Sequence, residues 1–483
     1  MGGQFVIVGG DAAGMSAASK AKRDDPDRDV LVLERGDWVA FGACGLPYYI
    51  QGEIATLEEL EVMEPRRIIE ERGIDLRRHH EVVSIDRADQ AVTVAGEDGR
   101  YEEPYDELLL ATGGRARLPA VPGADLEGIF SVRSLEAGQA LKHYISHHEA
   151  SPTRGRQAAH PADVGTHLDQ EAVEVVGIVG AHKIGLELAE AFVERGLEVR
   201  VFDSRPRVLP LFGKEVGEMV EDHLRDAGVT LHLMTTVEEF LGEDGRVTAV
   251  ETDEKTVAVD AVVADVGVEP RVDLAAAAGI ELGSTGAIAT DRFGRTNDPA
   301  VYAAGDCAEK RDRLSGELVL WPFGLAANRA GRAVGRTVAG RPTPVGEIVR
   351  TLVMKALDLQ VARTGIVAHD EARDAGFDPT SALITSVTRA HYYPGWSRMV
   401  VHATADRDTG RLLGANMVAT EGTAHRINSV ATAIAANMTV EEVGGLDFGY
   451  APPFGPVWDP VLGVAKVLEE KLERETGRPP ADR

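Results

Sequence analysis

Short, continuous apolar runs alternate along this chain with longer stretches whose apolar residues recur at helical spacing. Phe5–Val8 leads into a glycine turn and the alanine-rich stretch Ala12–Lys22, and Val30–Leu33 follows, stopping at Glu34. The same order returns later as Val175–Val179, a glycine turn, the helical stretch Ile184–Arg195, and then Val199–Phe202 ending at Asp203. Apolar runs of this length are strands buried on both faces, and a strand, tight turn and helix open a βαβ unit. The repetition predicts an α/β chain with two Rossmann-like dinucleotide-binding domains. Between them Ser151–Glu171, rich in Pro, His, Gly and charge, reads as an inserted surface loop. Residues 380–418 carry β-branched runs separated by PGW and RDTG turns, and helical patterns follow at 424–437 and 460–475. A third, α+β domain is expected there. The predicted boundaries are 1–125 with 288–345 for the first domain, 126–287 for the second (with the 151–171 insert) and 346–483 for the third.

A length of 483 residues suits several domains, and 44% hydrophobic with 27% charged residues suits packed cores rather than disorder. There is no run of about 18 apolar residues, so no transmembrane helix is expected. The opening MGGQFVIVGG passes directly into a strand pattern, without the basic segment and cleavage site of a signal peptide. Two cysteines, Cys44 and Cys307, make no disulfide framework, which fits a reducing compartment; a cytoplasmic location is expected. The net charge of −27 argues against nucleic acid and membranes as partners. Because the acid is dispersed and Arg far outnumbers Lys, adaptation to high salt is expected, where self-repulsion is screened.

Chemistry gathers at a few motifs. The first turn, Gly9-Gly10-Asp11-Ala12-Ala13-Gly14, has the outer glycines of a dinucleotide fingerprint, with Asp11 in place of the middle one. Glu34, at a strand end, lies where a ribose-binding acid belongs. The second turn, Gly180-Ala181-His182-Lys183-Ile184-Gly185, has the same outer glycines, with His182 in the middle and Asp203 at the following strand end. Asp203 favours an unphosphorylated ribose, whereas Arg205 and Arg207 suit a 2′-phosphate, so NADH and NADPH both stay open. Phe41–Tyr49 (FGACGLPYY) places Cys44 at the start of a short helix, whose dipole favours thiolate; the alternative is a buried structural cysteine. Without a neighbouring cysteine, a redox role for Cys44 requires a mixed disulfide with a small thiol, or a sulfenic acid. Tyr105–Gly114 and Thr296–Glu309 are strands ending in Ala-Thr-Gly and Gly-Asp turns, the second placing Asp306 to accept a flavin ribityl hydroxyl. Cys307 beside it reads as a packed core residue.

Together these segments resemble the pyridine nucleotide-disulfide oxidoreductase family, in its single-cysteine branch, with the coenzyme A-disulfide reductases as the nearest pattern. The resemblance runs to about residue 470 and also takes in GVEP at 267–270, the Ala326–Arg329 helix, HYYPG at 391–395 and YAPPFGPVWDP at 450–460. It implies an FAD domain built from two chain segments, an inserted NAD(P)H domain and a C-terminal domain that forms a homodimer. Gly9, Gly14, Glu34, Thr112, Gly113 and Asp306 would hold FAD. Gly180, Gly185, Glu187, Asp203 and Gly267 would line the site for NADH or NADPH. Coenzyme A would meet Ser16, Lys20, Arg23, Arg77 and Asn328, Lys20 and Arg23 being otherwise a solvated helix face. Tyr450 and one of Tyr392 and Tyr393, with Tyr393 preferred, would approach Cys44 of the partner subunit and protonate a departing thiolate.

Three positions depart from the family pattern. Ala12 stands where the oxidase and peroxidase branch has a histidine, which argues against peroxidase chemistry. Ala43 replaces an asparagine common in the reductases, and His182-Lys183 replaces Gly-Tyr, removing an aromatic that covers the flavin. The expected activity is NAD(P)H-dependent reduction of coenzyme A disulfide through a Cys44–S–S–CoA mixed disulfide. NADH oxidase and polysulfide or persulfide reductase are the enzyme alternatives, the second disfavoured by the lack of residues for an appended sulfurtransferase domain. A flavin-binding redox sensor with a degenerate nucleotide site is the alternative outside enzymes.

Overall fold

The computed structural model describes residues 3–147 and 172–477; the expected insert at 151–171 lies outside the described residues. The first apolar runs become the strands Gln4–Val8 and Asp29–Leu33, paired in parallel from Gln4↔Asp29 to Val8↔Leu33. The strand Glu107–Leu110 pairs on the other side of Gln4–Val8, and Val301–Ala303 extends that edge, so two distant chain segments build one five-stranded parallel sheet. Phe5, Val6 and Ile7 are fully buried, which explains the unbroken apolar run: both faces are covered. The helix Ala12–Asp24 lies on one face against the helix Gly324–Val338. These helices touch backbone to backbone: a Cβ on Gly331 would fall 2.0 Å from Ala13 O, and one on Gly335 would fall 2.3 Å from Ala17 O.

A second five-stranded parallel sheet is ordered Thr230–Leu233, Glu198–Asp203, Val175–Val179, Ala261–Ala264, Ile129–Phe130. Its glycine turn opens the helix Lys183–Glu194. In both sheets the strand before the glycine turn has neighbours on either side, and that turn sits at the C-terminal edge, where the winding direction changes and doubly wound folds bind ligands. A short antiparallel ribbon, Gly114–Ala116 with Val268–Pro270, ties the two units together. The third unit is an antiparallel sheet of Leu352–Ala356, Leu359–Gly365, Leu412–Ala419, Arg398–Asp406 and Pro379–Val387, covered by the helices Thr423–Ala435 and Pro460–Thr476. Among the described residues no helix is long and apolar enough to cross a membrane.

Candidate active site

At the first turn, Gly9 has φ +107°, and a Cβ there would fall 2.3 Å from Ala111 O. A Cβ on Gly14 would fall 1.9 Å from Gly9 O, so only glycine lets the helix start against the strand. Glu34 accepts hydrogen bonds from Gly10 N–H (2.8 Å) and Gly36 N–H (2.9 Å), which fixes its carboxylate beside the turn. Thr112 Oγ1 donates to Arg271 O (2.6 Å), and Gly113, at φ +69°, has nothing within 4 Å on its open side. Asp306 is paired with Arg133, a residue the sequence did not single out. Asp11 is pushed up to about 6, first by burial and then by the like charges of Glu34 and Asp306, against backbone hydrogen bonds that favour its charge. A glycine cradle open to a dinucleotide, with carboxylates at the two strand ends, fits FAD; Gly9, Gly14, Glu34, Thr112, Gly113 and Asp306 would hold it.

Cys44 is exposed and unpaired, in a 3-10 turn Ala43–Gly45 just before the helix Leu46–Gln51. Gly42 N–H donates to Leu60 O (2.8 Å), anchoring the turn, and a Cβ on Gly45 would fall 2.3 Å from Leu60 Cδ2. At the helix end Arg195 Nη1 donates to Ile50 O (2.9 Å), so the cysteine helix is fastened to the chain's second unit. Tyr48 is pushed up to about 12, by burial first and then by Glu187, Glu190, Glu53 and Cys44, so its hydroxyl keeps its proton. Cys307 is fully buried, donates to Leu110 O and Ala304 O at 3.4 and 3.3 Å, and burial pushes its thiol up.

Beside the cysteine loop, a cavity of 320 Å³ is lined by Ser16, Lys20, Arg23, Phe41, Arg72, Asn328 and Arg332 among others. Ser16 Oγ donates to Asn328 Oδ1 (2.6 Å), joining two residues 312 apart in sequence. Lys20 is bound to Asp24, which Arg336 and Arg341 also approach, while Arg23 is exposed. Arg77, expected here, is elsewhere: its guanidinium is taken by Asp75 (2.7 Å), Glu103 (2.7 Å) and Tyr101 (3.1 Å). It sits on the edge strand Asp75–Arg77, facing the neighbouring three-stranded sheet, and Arg72 and Arg332 are the arginines that complete the cavity.

The second turn repeats the first. Gly180 has φ +114° with a would-be Cβ 2.0 Å from Asp265 O, and one on Gly185 would fall 2.1 Å from Gly180 O. Asp203 accepts from Ala181 N–H (2.8 Å) and from Arg205 through its backbone N–H (2.9 Å), Nε (2.8 Å) and Nη2 (2.7 Å). Burial opposes its charge, but these bonds outweigh burial and hold the carboxyl below its ordinary value. Arg205 Nη2 also donates to His182 Nε2 (2.5 Å), and burial, then Arg205, lowers His182, keeping it neutral. Lys183 Nζ bonds both Glu187 oxygens (2.8 Å); burial pushes Glu187 up and Lys183 opposes it. Gly267, at φ +118° with open space beside it, accepts from Arg117 N–H (2.9 Å) in the ribbon next to Thr112 and Gly113.

Of the two adjacent tyrosines, it is Tyr392 that meets Tyr450. Tyr392 Oη lies 2.6 Å from Tyr450 Oη, whereas the Tyr393 ring lies under the Arg389 guanidinium, 6.0 Å away. The hydrogen bond to Tyr392, then burial, raises Tyr450 above its ordinary value. Arg426 braces the loop through Asp459 (Nε, 2.7 Å) and Phe454 O (Nη2, 2.8 Å), leaving the Phe454 side chain 78% exposed.

Two parallel-sheet dinucleotide units around an exposed lone cysteine define a pyridine-nucleotide flavoprotein, and the comparisons agree. The chain belongs to the pyridine nucleotide-disulphide oxidoreductase family: residues 3–328 match the family model and 353–460 match the model of its dimerisation domain. It is 37% identical over 465 residues to the NAD(P)H sulfur oxidoreductase (CoA-dependent) of Pyrococcus abyssi, covering 96% of this chain and 98% of that one. It is 25% identical over 457 residues to the coenzyme A disulfide reductase of Staphylococcus haemolyticus, covering 93% and 96%. The solved NAD-dependent persulfide reductase from A. fulgidus superposes with a TM-score of 0.89 at 32% identity, covering 98% of this chain and 84% of that one. The chain is therefore an enzyme, an NAD(P)H-dependent flavoprotein oxidoreductase of the disulfide and persulfide type.

Proposed function

We propose that the chain is a coenzyme A-dependent disulfide reductase that works through a Cys44–S–S–CoA mixed disulfide. The observation that carries this is the cavity beside the cysteine loop, which sets Arg23, Arg72 and Arg332 around an opening in a protein of net charge −27. Such cations suit the phosphates of coenzyme A, and Ser16 and Asn328 offer neutral hydrogen-bonding groups along its length. Bound FAD supplies the two-electron relay between NAD(P)H and sulfur. The electron pair breaks the mixed disulfide, freeing the Cys44 thiolate and one coenzyme A thiolate. Cys44 then attacks coenzyme A disulfide; a new Cys44–S bond forms as the substrate S–S bond breaks, releasing a second thiolate. Tyr392 and Tyr450, offered by the other subunit of a homodimer, protonate the departing thiolates. In sum NAD(P)H, one proton and the disulfide give NAD(P)+ and two thiols.

A second reading, reduction of a polysulfide or of a coenzyme A persulfide by the same cysteine, is favoured by sequence: the Pyrococcus sulfur oxidoreductase is 37% identical and the Staphylococcus disulfide reductase 25%. Mass spectrometry of the intact native protein, with and without reductant, tests the mixed disulfide. A reductant-sensitive adduct of coenzyme A mass on Cys44 is expected. Cys44 found as free thiol or sulfenic acid would sink the mixed-disulfide reading and favour polysulfide reduction or an oxidase working through the same cysteine. NAD(P)H consumption with coenzyme A disulfide against polysulfide then separates the two.

A further inference from the structure

The middle position of the first glycine turn belongs to Asp11. A glycine there lets backbone approach a diphosphate closely, and here a carboxyl group occupies that approach. Asp11 precedes the helix Ala12–Asp24 with extended backbone (φ −102°, ψ −155°), yet its side chain makes no capping bond. Its Oδ1 is buried and has no hydrogen-bond partner. No basic side chain among the described residues is paired with it: Lys20 is bound to Asp24 and Arg133 to Asp306. The groups that act on its charge are the backbone N–H groups of Ala12 and Phe41, which favour it, and two carboxylates that oppose it: Glu34, at the end of the second strand, and Asp306, after the strand Val301–Ala303. Glu34 is itself held by two backbone N–H groups, and its charge also acts on Arg271. Arg23, Arg72 and Arg332 share the cavity wall with Asp11 without pairing to it. Burial and the two carboxylates already push Asp11 up to about 6 before any ligand arrives.

A diphosphate at this turn adds negative charge beside an acid that has no cation and one unpartnered oxygen. An ionised Asp11 repels it, whereas a protonated Asp11 donates to it through a group otherwise left unsatisfied. We propose that Asp11 is the proton-holding residue of the flavin site: the FAD diphosphate binds with this carboxyl neutral and donating, so each FAD bound takes up one proton. This rests on the reading of the turn as the flavin site.

The test uses the full-length apoprotein, titrated with FAD between about pH 5 and pH 8 and followed by flavin fluorescence, which is independent of turnover. For the native sequence the Kd is expected to rise about tenfold per pH unit once the carboxyl of the free protein ionises. Asp11→Asn, which keeps the donor without the charge, is expected to bind with a nearly flat profile and more tightly than the native chain at the alkaline end. Asp11→Gly, which restores the ordinary glycine, is expected to be equally flat. Proton uptake during FAD binding in weak buffer, read with an indicator dye, should be present in the native protein and absent in both variants. A native profile as flat as that of Asp11→Asn, or equal pH slopes in all three proteins, overturns the proposal. Failure of all three to bind FAD at any pH overturns the flavin reading of the turn, and this inference with it.

Discussion

At the scale of single residues, function depends on which hydrogen bonds each side chain has already spent. Tyr450 shares a hydrogen bond with Tyr392 that raises it above its ordinary value, so the pair can serve as one acid. Removing that bond removes the main cause of the raised value. Tyr392→Phe is therefore expected to let Tyr450 ionise at lower pH, moving the alkaline limb of the kcat/KM profile downward. Tyr393→Phe should leave that limb in place, and equal shifts in both variants would contradict the assignment. Asp203 shows the opposite situation. Its four accepted bonds come from Arg205 and the turn, so an incoming ribose must compete with a guanidinium. Arg205→Ala frees the carboxylate and removes a cation suited to a 2′-phosphate. The ratio of kcat/KM for NADH over NADPH is expected to rise about tenfold, the size of one charged hydrogen bond of roughly 1.5 kcal/mol. An unchanged ratio would place the ribose elsewhere.

At the scale of elements, glycines govern how closely the first unit closes. Gly331 and Gly335 bring the helix Gly324–Val338 against the backbone of Ala12–Asp24, which carries Ser16 and begins at the first glycine turn. Alanine in a helix interior ordinarily stabilises by about 1 kcal/mol relative to glycine. Gly331→Ala is expected to reverse that sign and cost about 3 kcal/mol, because its methyl group would meet Ala13 O and force the helices apart. Gly324→Ala, with open space around it, serves as the neutral control. Thermal denaturation and FAD retention on gel filtration check both; equal Tm values would show that the helices accommodate the methyl group.

At the scale of the whole molecule, charge and exposed apolar surface bear on assembly. Tyr392, Tyr450, Phe454, Val457 and Trp458 are all exposed on the third unit, and its sequence matches a dimerisation domain over 353–460. In a homodimer that serves its active sites across the interface, a mixture of Cys44→Ser chains with Tyr392→Phe/Tyr450→Phe chains should regain part of the activity that each homodimer has lost. No recovery after subunit exchange would place the tyrosines on their own subunit's cysteine. A net charge of −27 repels itself in dilute buffer. Tm is expected to rise from dilute to molar KCl, where the Debye length falls to about 3 Å. A flat response would remove the case for salt adaptation.

Much of this molecule was legible before folding because its chemistry is local. The positive φ at Gly9 and Gly180, the close packing at Gly14 and Gly185, and the acids at strand ends follow from residue type at short, fixed offsets. So do the buried parallel strands, whose apolar runs admit little else, and the lone cysteine before a short helix. Contacts between distant segments were not legible. Arg133 reaching Asp306, Arg205 capturing Asp203, Tyr392 rather than Tyr393 meeting Tyr450, and Arg72 and Arg332 lining the cavity in place of Arg77 depend on how separate elements dock. The turns, the strands and the inventory of reactive groups follow from residue order alone, since these depend on backbone sterics and burial within a few residues. Which charges pair with each other and which remain for a ligand is settled by the docking of distant elements, because a long side chain's partner is set by distances across the fold.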